Sequence, residues 1–386
     1  MNMEHYEMVA TTLFGFEETL ADELKVIGAQ KIEILNRAVR FEGDKKMMYK
    51  SNLYLRTALR VLMPISQFMI RDERDLYKKI QRIEWDKYLS VDGTLAIEAT
   101  VKSDYFTHSK FMALKAKDAV VDQFRDKYSR RPSIDVDTPD LRINLHINDR
   151  NCAVSLDSSG YTLGKRGYRT AQSEAPMSEV LAAGIIALSQ WDKKRNLVDP
   201  MCGSGTFSIE AAMIASNTPA GFFRNFGFEM WPDFDKTLWK QIKTEAREQI
   251  KKPEGKIFAS DIDERSVTIA EQNAINANLA QFISFKKLDF LNSETKQNNC
   301  IVFLNPPYGE RLKDEEEIIP FYKEIGTQLK HFYEESEAWI ISANINALKF
   351  IGLRPSRKIK LFNGPLECKL QKYELFKGKK REQHQD

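Results

Sequence analysis

The sequence predicts an α/β fold, with an open, doubly wound parallel sheet in the C-terminal part and an α+β region before it. Three stretches after Gly160 support this prediction: NLVDPMCGSGTFSIEAAMIA, GKIFASDIDERSVTIAEQNAINANL and CIVFLNPPYG. In the first two, a short apolar run leads through a turn into a helix-like segment. Such alternation is typical of parallel sheets that carry helices on both faces.

The chain before Gly160 has a different pattern. YEMVATTL and AQKIEILNRAVRFEG read as strands around a helix, GFEETLADELKVIG, and DLRINLHINDRNCAVSLDSSG alternates as a hairpin does. SKFMALKAKDAVVDQFRDKY reads as an amphipathic helix, because apolar residues recur roughly at helical spacing: Phe111, Leu114, Ala119, Val120 and Phe124. These changes of pattern predict three regions: 1–60, 61–160 and 161–386.

The composition excludes several classes of protein. The chain has 386 residues, of which 42% are hydrophobic and 29% charged, as expected of a folded protein with more than one domain. It contains no apolar run long enough to cross a membrane and no signal-peptide pattern at its start. The four cysteines show no CxxC spacing and the five histidines are dispersed. We therefore expect no disulfide framework, no metal and a cytoplasmic location.

Positive charge is concentrated locally, although the net charge is only +3. One cluster lies between Lys102 and Arg131, and a second is the segment GKRGYR. Clustered cations interleaved with aromatic residues suit an RNA phosphate backbone, and a solvated helix face is the alternative. The candidate RNA contacts in these clusters are Lys102, Lys110, Lys115, Lys165, Arg166 and Arg169.

A glycine-containing turn, DPMCGSGTF, follows the first C-terminal strand. Gly203 and Gly205 would let the backbone approach a ligand closely before the next helix. The dinucleotide fingerprint needs a third Gly or Ala, and Ser208 occupies that place, which disfavours NAD. A tight turn without a ligand is the alternative interpretation.

Acidic residues end the next two strands. Asp261 is placed to accept hydrogen bonds from two ribose hydroxyls, whereas Asp263 fits the cap of the following helix. Asp289 could accept a hydrogen bond from an adenine amino group, with Phe290 beside the ring. For each carboxylate taken alone, helix capping or simple solvation explains the residue equally well.

The segment NPPY after the run CIVFL has a chemical interpretation. The Asn305 side-chain carbonyl and the Pro306 backbone carbonyl could accept both N–H groups of a planar amino group, which would orient its nitrogen for attack on a methyl sulfonium. Pro306 and Pro307 would stiffen this corner, and Tyr308 would offer a face on which a flipped-out base stacks. An Asn-Pro turn that merely ends a strand is the alternative.

Taken together, these residues resemble class I S-adenosylmethionine (AdoMet)-dependent methyltransferases. KRGYRTAQSEAPMSEVLAA, DPMCGSGTFSIEAAMIA, FGFEMWPDFD and NPPYGERL resemble, more narrowly, the THUMP-containing, RlmL-like rRNA guanine-N2 methyltransferases. This resemblance implies a ferredoxin-like segment in 1–60, an RNA-binding THUMP domain in 61–160 and a Rossmann-like methyltransferase domain in 161–386. The resemblance extends to the first of the two methyltransferase halves that fused members carry.

The resemblance also implies the site. NPPY would hold the target amino group, and Arg311 in NPPYGERL would either contact RNA or brace the loop. The residues expected to contact AdoMet are Asp199, Pro200, Cys202, Gly203, Ser204, Gly205, Thr206, Asp261, Ile262, Asp289, Phe290 and Asn305.

The function that follows is methylation of a guanine N2 amino group in 23S rRNA or in a large-subunit precursor. NPPY also occurs in enzymes that act on adenine N6, cytosine N4 and protein glutamine. An adenine-N6 methyltransferase acting on RNA or DNA is therefore one alternative. A non-catalytic RNA-binding ribosome assembly factor is another, although the intact NPPY and GSG segments argue against it. Residues 218–253, rich in aromatics, fit either a lid or local core, and we favour core.

Overall fold

The computed structural model describes residues 5–170, 177–307 and 315–377. They form two compact units. The N-terminal unit comprises the described residues of Met1–Thr12, Leu20–Leu163 and Arg224–Glu245. The C-terminal unit comprises those of Leu13–Thr19, Gly164–Phe223 and Ala246–Asp386. Two short segments, Leu13–Thr19 and Arg224–Glu245, thus pack with a unit other than the one on either side of them in sequence. The two units do not correspond to the three predicted regions, whose boundaries stay a prediction.

The first half of the chain forms a single sheet with helices. Its elements are β1 (Tyr6–Thr12), α1 (Glu17–Ile27), β2 (Gln30–Leu35), β3 (Ala38–Gly43), α2 (Lys45–Tyr54), β4 (Ala58–Met69), α3 (Glu73–Gln81), β5 (Thr94–Lys102), α4 (Ser109–Tyr128), β6 (Ser133–Ile134), β7 (Leu141–Asn148) and β8 (Asn151–Asp157). In the described part the sheet has eight strands, in the order β2-β3-β1-β4-β8-β7-β5-β6. The long strand β4 joins the two predicted N-terminal regions, because it pairs with β1 on one side and β8 on the other.

Local sequence explains these elements. Asp44 and Asp72 accept backbone N–H groups from Met47 and Asp75, at 2.8 and 2.7 Å, and so cap α2 and α3. The alternating residues of β7 confirm the predicted hairpin, since its apolar side chains are fully buried. The prediction for α4 is confirmed for Ala119, Val120 and Phe124, which are buried. It was wrong for Phe111 and Leu114, which are 45% and 47% exposed, because Met112 and Ala116 take the buried face in that part of the helix.

The aromatic residues of 218–253 belong to a core, as predicted. Tyr49 stacks on Phe228 with ring centroids 4.3 Å apart, and Trp239 meets Phe228 edge-on at 5.2 Å. Phe228 is completely buried, and Phe226 and Trp239 are 3% exposed. This cluster lies in the N-terminal unit, so a segment from the predicted methyltransferase region completes the core of the other unit.

The second half of the chain alternates strands and helices, which confirms the predicted α/β class. Its elements are α5 (Glu179–Leu188), β9 (Asn196–Asp199), α6 (Thr206–Ala215), α7 (Lys236–Glu248), β10 (Ile257–Asp261), α8 (Glu264–Asn276), β11 (Ile283–Lys287), β12 (Cys300–Leu304), α9 (Glu315–Phe332), β13 (Ser336–Ser342), β14 (Arg357–Asn363) and β15 (Leu366–Leu375).

In its described part this sheet has seven strands, ordered β11-β10-β9-β12-β13-β15-β14. The five strands from β9 to β13 are parallel to one another, as predicted. The last two strands depart from this parallel arrangement, because β15 is antiparallel to β13 and forms a hairpin with β14. Two hydrophobic clusters cover the two faces; Phe303 lies in one and Val302 in the other, as the alternation of β12 requires. Within the described residues, no helix has the length and apolarity needed to span a bilayer.

Candidate active site and RNA-binding surface

A cleft of about 710 Å³ lies at the carboxyl ends of the parallel strands β11, β10, β9 and β12. Ligands of open α/β sheets bind at this edge. The predicted site residues that line the cleft are Pro200, Cys202, Gly203, Ser204, Thr206, Asp261, Ile262, Asp289, Phe290, Asn305 and Pro307. Asp199, Gly205 and Pro306 lie beside these residues in the chain but are not part of the lining. Tyr308 and Arg311 lie outside the described residues.

The glycine turn packs closely on α8. Gly205 has φ +81°, and a Cβ there would lie 2.9 Å from the Cβ of Ala270, so only glycine fits. The Gly203 backbone N–H donates to Asp261 Oδ2 at 2.9 Å, and the Cys202 N–H donates to the Ser260 carbonyl at 2.9 Å. The loop that follows β9 is thereby fixed to the end of β10.

The two acidic strand ends differ in their surroundings. Asp261 Oδ1 also accepts the Asp263 N–H at 3.0 Å, while Asp263 caps α8 through the Arg265 N–H at 3.1 Å, as expected. Asp289 accepts the Leu291 N–H at 3.0 Å and Asn292 Nδ2 at 2.7 Å. Local hydrogen bonds thus orient both carboxylates at the cleft, where each keeps lone pairs for a ligand.

Asp199 lies beneath the glycine turn and is 1% exposed. Ser208 Oγ donates to its Oδ2 at 2.8 Å, whereas Oδ1 is buried with no partner among the described residues. Burial raises the pKa of this carboxyl to about 7, and the nearby Asp261 charge adds to the increase. Ser208 occupies the place of the third glycine of the dinucleotide fingerprint. Its hydroxyl binds the Asp199 carboxyl, whereas a glycine there would allow close packing of helix and strand.

Asn305 carries the most informative polar group of the cleft. Its side-chain Oδ1 is buried and has no hydrogen-bond partner among the described residues. An unsatisfied buried carbonyl is costly, of the order of 1–3 kcal/mol, so such groups point to a ligand or a functional role. Asn305 follows β12 directly, and Pro306 and Pro307 follow it, which places this oxygen at a stiff strand end.

Several cleft residues were not predicted from the sequence. They are Met177, Met201, Phe207, Asp263, Arg265, Ser266, Ile269, Leu291 and Phe321. Arg265, Ser266 and Ile269 lie on the first turns of α8, directly after the predicted Asp261 and Ile262, so helical spacing could have indicated them. Phe321 comes from α9, and no pattern in the sequence links it to the cleft. Among the described residues, no group of His, Cys, Asp and Glu could hold a metal ion.

The N-terminal unit carries the predicted surface cations near the start of α4. Lys102 and Lys110 are exposed, and Lys115 is half-buried with its Nζ 5.8 Å from the centre of the Phe111 ring. The neighbouring apolar residues Phe111 and Leu114 are also exposed. Cations beside exposed rings are the arrangement that RNA-binding surfaces use.

A second cationic surface on this unit was missed. A cleft of about 540 Å³ at α3 is lined by Met69, Arg71, Asp75, Lys78, Lys79 and Arg82. Asp75 is its single acid, and its pKa is lowered by hydrogen bonds from the Arg71 N–H and Lys79 that outweigh its desolvation. The sequence RDERDLYKKIQR indicated the helix, but the four cations could have been recognised as one face from their spacing.

Two predicted RNA contacts are wrong. Arg166 is 1% exposed, and its guanidinium contacts the fully buried Glu210 at 3.3 Å, so it cannot face a phosphate. Arg169 is 9% exposed and pairs with Glu179 at 2.9 Å. The segment GKRGYR is therefore mostly interior, and of its cations only Lys165 is exposed. A run of basic residues in sequence did not distinguish buried ion pairs from a binding surface.

Comparisons with known proteins cover almost the whole chain. Residues 166–372 match the RMKL-like methyltransferase domain, residues 71–157 the THUMP domain, and residues 7–62 the RlmL ferredoxin-like domain. A Synechocystis sp. protein, slr0064, named provisionally as an RNA methyltransferase, is 40% identical over 372 residues, which is 95% of this chain and 96% of that protein.

Two solved structures are similar at 30% identity. SMU.472, named provisionally as a methyltransferase and crystallised with S-adenosylhomocysteine (SAH), has a TM-score of 0.86 over 97% of this chain and 100% of its own. A predicted N6-adenine-specific DNA methylase from Listeria monocytogenes has a TM-score of 0.85 over 97% of each chain. Together with the strand-end cleft, these matches establish an AdoMet-dependent enzyme. The chain belongs to the THUMP-containing, RlmL-like family and is an RNA methyltransferase.

Proposed function

We propose that this protein methylates the exocyclic N2 amino group of a guanine in 23S rRNA. The observation that carries the proposal is the buried, unpartnered Oδ1 of Asn305 at the end of β12, in the lining of the cleft. An acceptor in this state fits a target that brings N–H donors. The segment NPPYGERL and the match to the RlmL ferredoxin-like domain support guanine as the base.

The described residues fit the cofactor. Asp261 is proposed to accept the two ribose hydroxyls and Asp289 the adenine amino group, with Ile262 and Phe290 as apolar neighbours. The turn from Pro200 to Thr206 is proposed to take the methionine end. The free Oδ1 of Asp199 beneath that turn could accept the cofactor's ammonium group directly or through water. AdoMet, when bound, supplies the methyl group for direct transfer to nitrogen.

The residues of the chain contribute orientation rather than a strong base. The amino nitrogen of guanine is a poor nucleophile because its lone pair is delocalised into the ring. Hydrogen bonds to Asn305 Oδ1 and the Pro306 carbonyl would align the nitrogen and stabilise the positive charge that develops on it. The excess proton leaves to solvent after transfer. Tyr308 keeps its predicted role as the stacking face for the flipped base.

RNA binding is assigned mainly to the N-terminal unit. Lys102, Lys110 and Lys115, with the exposed Phe111, are proposed to contact phosphates and bases. Lys165 and Arg311 keep their predicted RNA contacts. We place the reaction in the cytoplasm, which agrees with four cysteines that are all buried and free.

The test is methyl transfer from labelled AdoMet to rRNA from a strain that lacks this protein. Incorporation into 23S rRNA from that strain, recovered as N2-methylguanosine by mass spectrometry, is the expected result. Wild-type rRNA and tRNA should accept little label, and the Asn305→Ala enzyme should transfer label about 10²–10³-fold more slowly. Recovery of any other methylated nucleoside would refute the guanine assignment.

Adenine N6 is the second candidate. It is favoured by the name of the Listeria monocytogenes relative and by NPPY, because an adenine amino group presents the same two N–H donors to Asn305. The same mass spectrum separates the two, since N6-methyladenosine would replace N2-methylguanosine. A parallel assay with duplex DNA tests the DNA form of this candidate, for which label should remain at background.

A further inference from the structure

We propose that Arg169 is a positioning residue of the methyltransferase site, which fixes the loop between β9 and α6 through the hydroxyl groups of Ser204 and Thr206. Both hydroxyl-bearing residues line the cleft, whereas Arg169 does not. This inference rests on the proposed cofactor cleft, but not on which base is methylated.

The guanidinium of Arg169 makes contacts on all of its nitrogens. Its Nη2 donates to Thr206 Oγ1 at 2.8 Å and to the Met177 carbonyl at 3.2 Å, and its Nη1 donates to Ser204 Oγ at 3.4 Å. Its Nε donates to Glu179 Oε1 at 2.9 Å. A planar fork with fixed donor directions can satisfy these acceptors together, and a lysine ammonium cannot.

Glu179 holds the fork in place from the first turn of α5. The side chains of Arg169 and Glu179 are 9% and 12% exposed, so both charges are largely removed from water. Burial raises the pKa of Glu179, and the Arg169 charge acts in the opposite direction. A largely buried ion pair offsets the cost of its desolvation only when its geometry is good and additional hydrogen bonds satisfy the charged groups. The Ser204 and Thr206 hydroxyls provide such hydrogen bonds to Arg169.

The loop is held from its other side by α8. Asn273, which is fully buried, donates from Nδ2 to the Ser204 carbonyl at 3.1 Å and accepts the Thr170 N–H at 3.3 Å. Arg169 and Thr170 are consecutive, so this segment is bonded directly to the Ser204 side chain and, through Asn273, to the Ser204 backbone carbonyl. The loop geometry therefore depends on this segment as well as on its own glycines.

The consequence for the reaction is specific. The loop contributes Cys202, Gly203, Ser204 and Thr206 to the cofactor cleft, while Asn305 reaches the same cleft from β12. Loosening the loop should weaken cofactor binding and leave the orientation of the target amino group unchanged. In kinetic terms, KM for AdoMet should rise while kcat and KM for RNA stay nearly constant.

The experiment compares Arg169→Lys, Thr206→Val and the double variant in the full-length protein. SAH affinity is measured by calorimetry, which requires no RNA. The temperature is kept well below the melting point of each variant, so that every variant is folded. We expect each single variant to bind SAH about ten-fold more weakly, and the double variant to bind little worse than either, because both changes remove the same hydrogen bond. Arg195→Lys is the matched control: Arg195 pairs with Glu337 at 2.9 Å but does not line the cleft, so SAH affinity should not change.

Three outcomes would overturn the proposal. One is an unchanged SAH affinity in Arg169→Lys with only a lower melting temperature, which would show a purely structural ion pair. Another is full additivity in the double variant. A third is a higher KM for RNA with an unchanged KM for AdoMet, which would restore Arg169 as an RNA contact. Asp261→Ala, run alongside, tests the cleft itself: if it too binds SAH normally, the cofactor site is wrongly assigned.

Discussion

The two units use polar residues in opposite ways. In the C-terminal unit, two arginines are largely buried and have defined partners: Arg166 pairs with Glu210, and Arg169 with Glu179. In the N-terminal unit, Lys102 and Lys110 lie exposed on the surface. The difference indicates two kinds of energetics. Buried groups act through exact geometry and each is hard to replace, whereas exposed cations act through their summed field and each contributes little.

The largest effect should come from Asn305→Ala, which tests the buried side of this comparison. Removal of the acceptor should lower the rate of methyl transfer by about 10²–10³-fold, the cost typical of losing one preorganised group at a charge-developing atom. SAH affinity should stay within a few-fold of the wild type, as measured by calorimetry. Equal losses in rate and SAH affinity would contradict the assignment of Asn305 to the target base.

The next largest effect should come from Asp261→Ala. Asp261 accepts the Gly203 N–H and is proposed to bind the ribose, so the variant loses charge-assisted hydrogen bonds to both. SAH should bind about 10–100-fold more weakly. Asp263→Ala is the control: Asp263 also lines the cleft but is exposed, and its carboxylate caps α8 through the Arg265 N–H, so SAH affinity should change only slightly. Similar losses in the two variants would show that helix capping, not ribose contact, matters.

Asp199 predicts a pH dependence of stability. Its pKa rises from 3.8 in the unfolded chain to about 7 in the folded unit because of burial. The protonated carboxyl therefore makes its full contribution to the free energy of unfolding below about pH 4. This contribution is lost as the pH rises to about 7. This pKa difference corresponds to roughly 4 kcal/mol.

Asp199→Asn removes that titration. Without cofactor, its melting temperature relative to the wild type should increase between pH 5 and 7 and level off above. Asp263→Asn is the control, since hydrogen bonds lower the pKa of this exposed acid and it should give a constant difference over the same range. Parallel profiles for Asp199→Asn and wild type would contradict the raised pKa.

The smallest effects should come from the exposed cations. Replacing Lys102, Lys110 or Lys115 by Ala should each weaken RNA binding by about two- to five-fold and reduce the dependence of log K on log salt by about one contact. Lys127→Ala on the same helix is the control, because Lys127 pairs with Asp86. The comparison between the units fails if one of these substitutions abolishes RNA binding, or if the control weakens it as much.

Sequence reasoning found the cleft better than it found the surfaces. The strand ends Asp199, Asp261 and Asn305 could be predicted because parallel strands bring their carboxyl ends to one edge, whatever the loops do. Burial of Arg166 could not be predicted, because its partner Glu210 is 44 residues away and lies on α6. Likewise, no local pattern shows that Phe228 packs on Tyr49, since long-range packing decides it.

The discontinuous N-terminal unit has a consequence for synthesis. Its aromatic core needs Phe226, Phe228 and Trp239, which come more than sixty residues after β8 ends. During translation, Tyr49 in the part of the chain that forms β1 to β8 would stay without its aromatic partners until the chain had emerged to about residue 245. By then the strand β9 and its glycine turn have also emerged. The two units should therefore fold in an interleaved order rather than one after the other. Chaperone binding should be strongest for nascent chains that have emerged beyond Asp157, the end of β8, but not yet to Glu245.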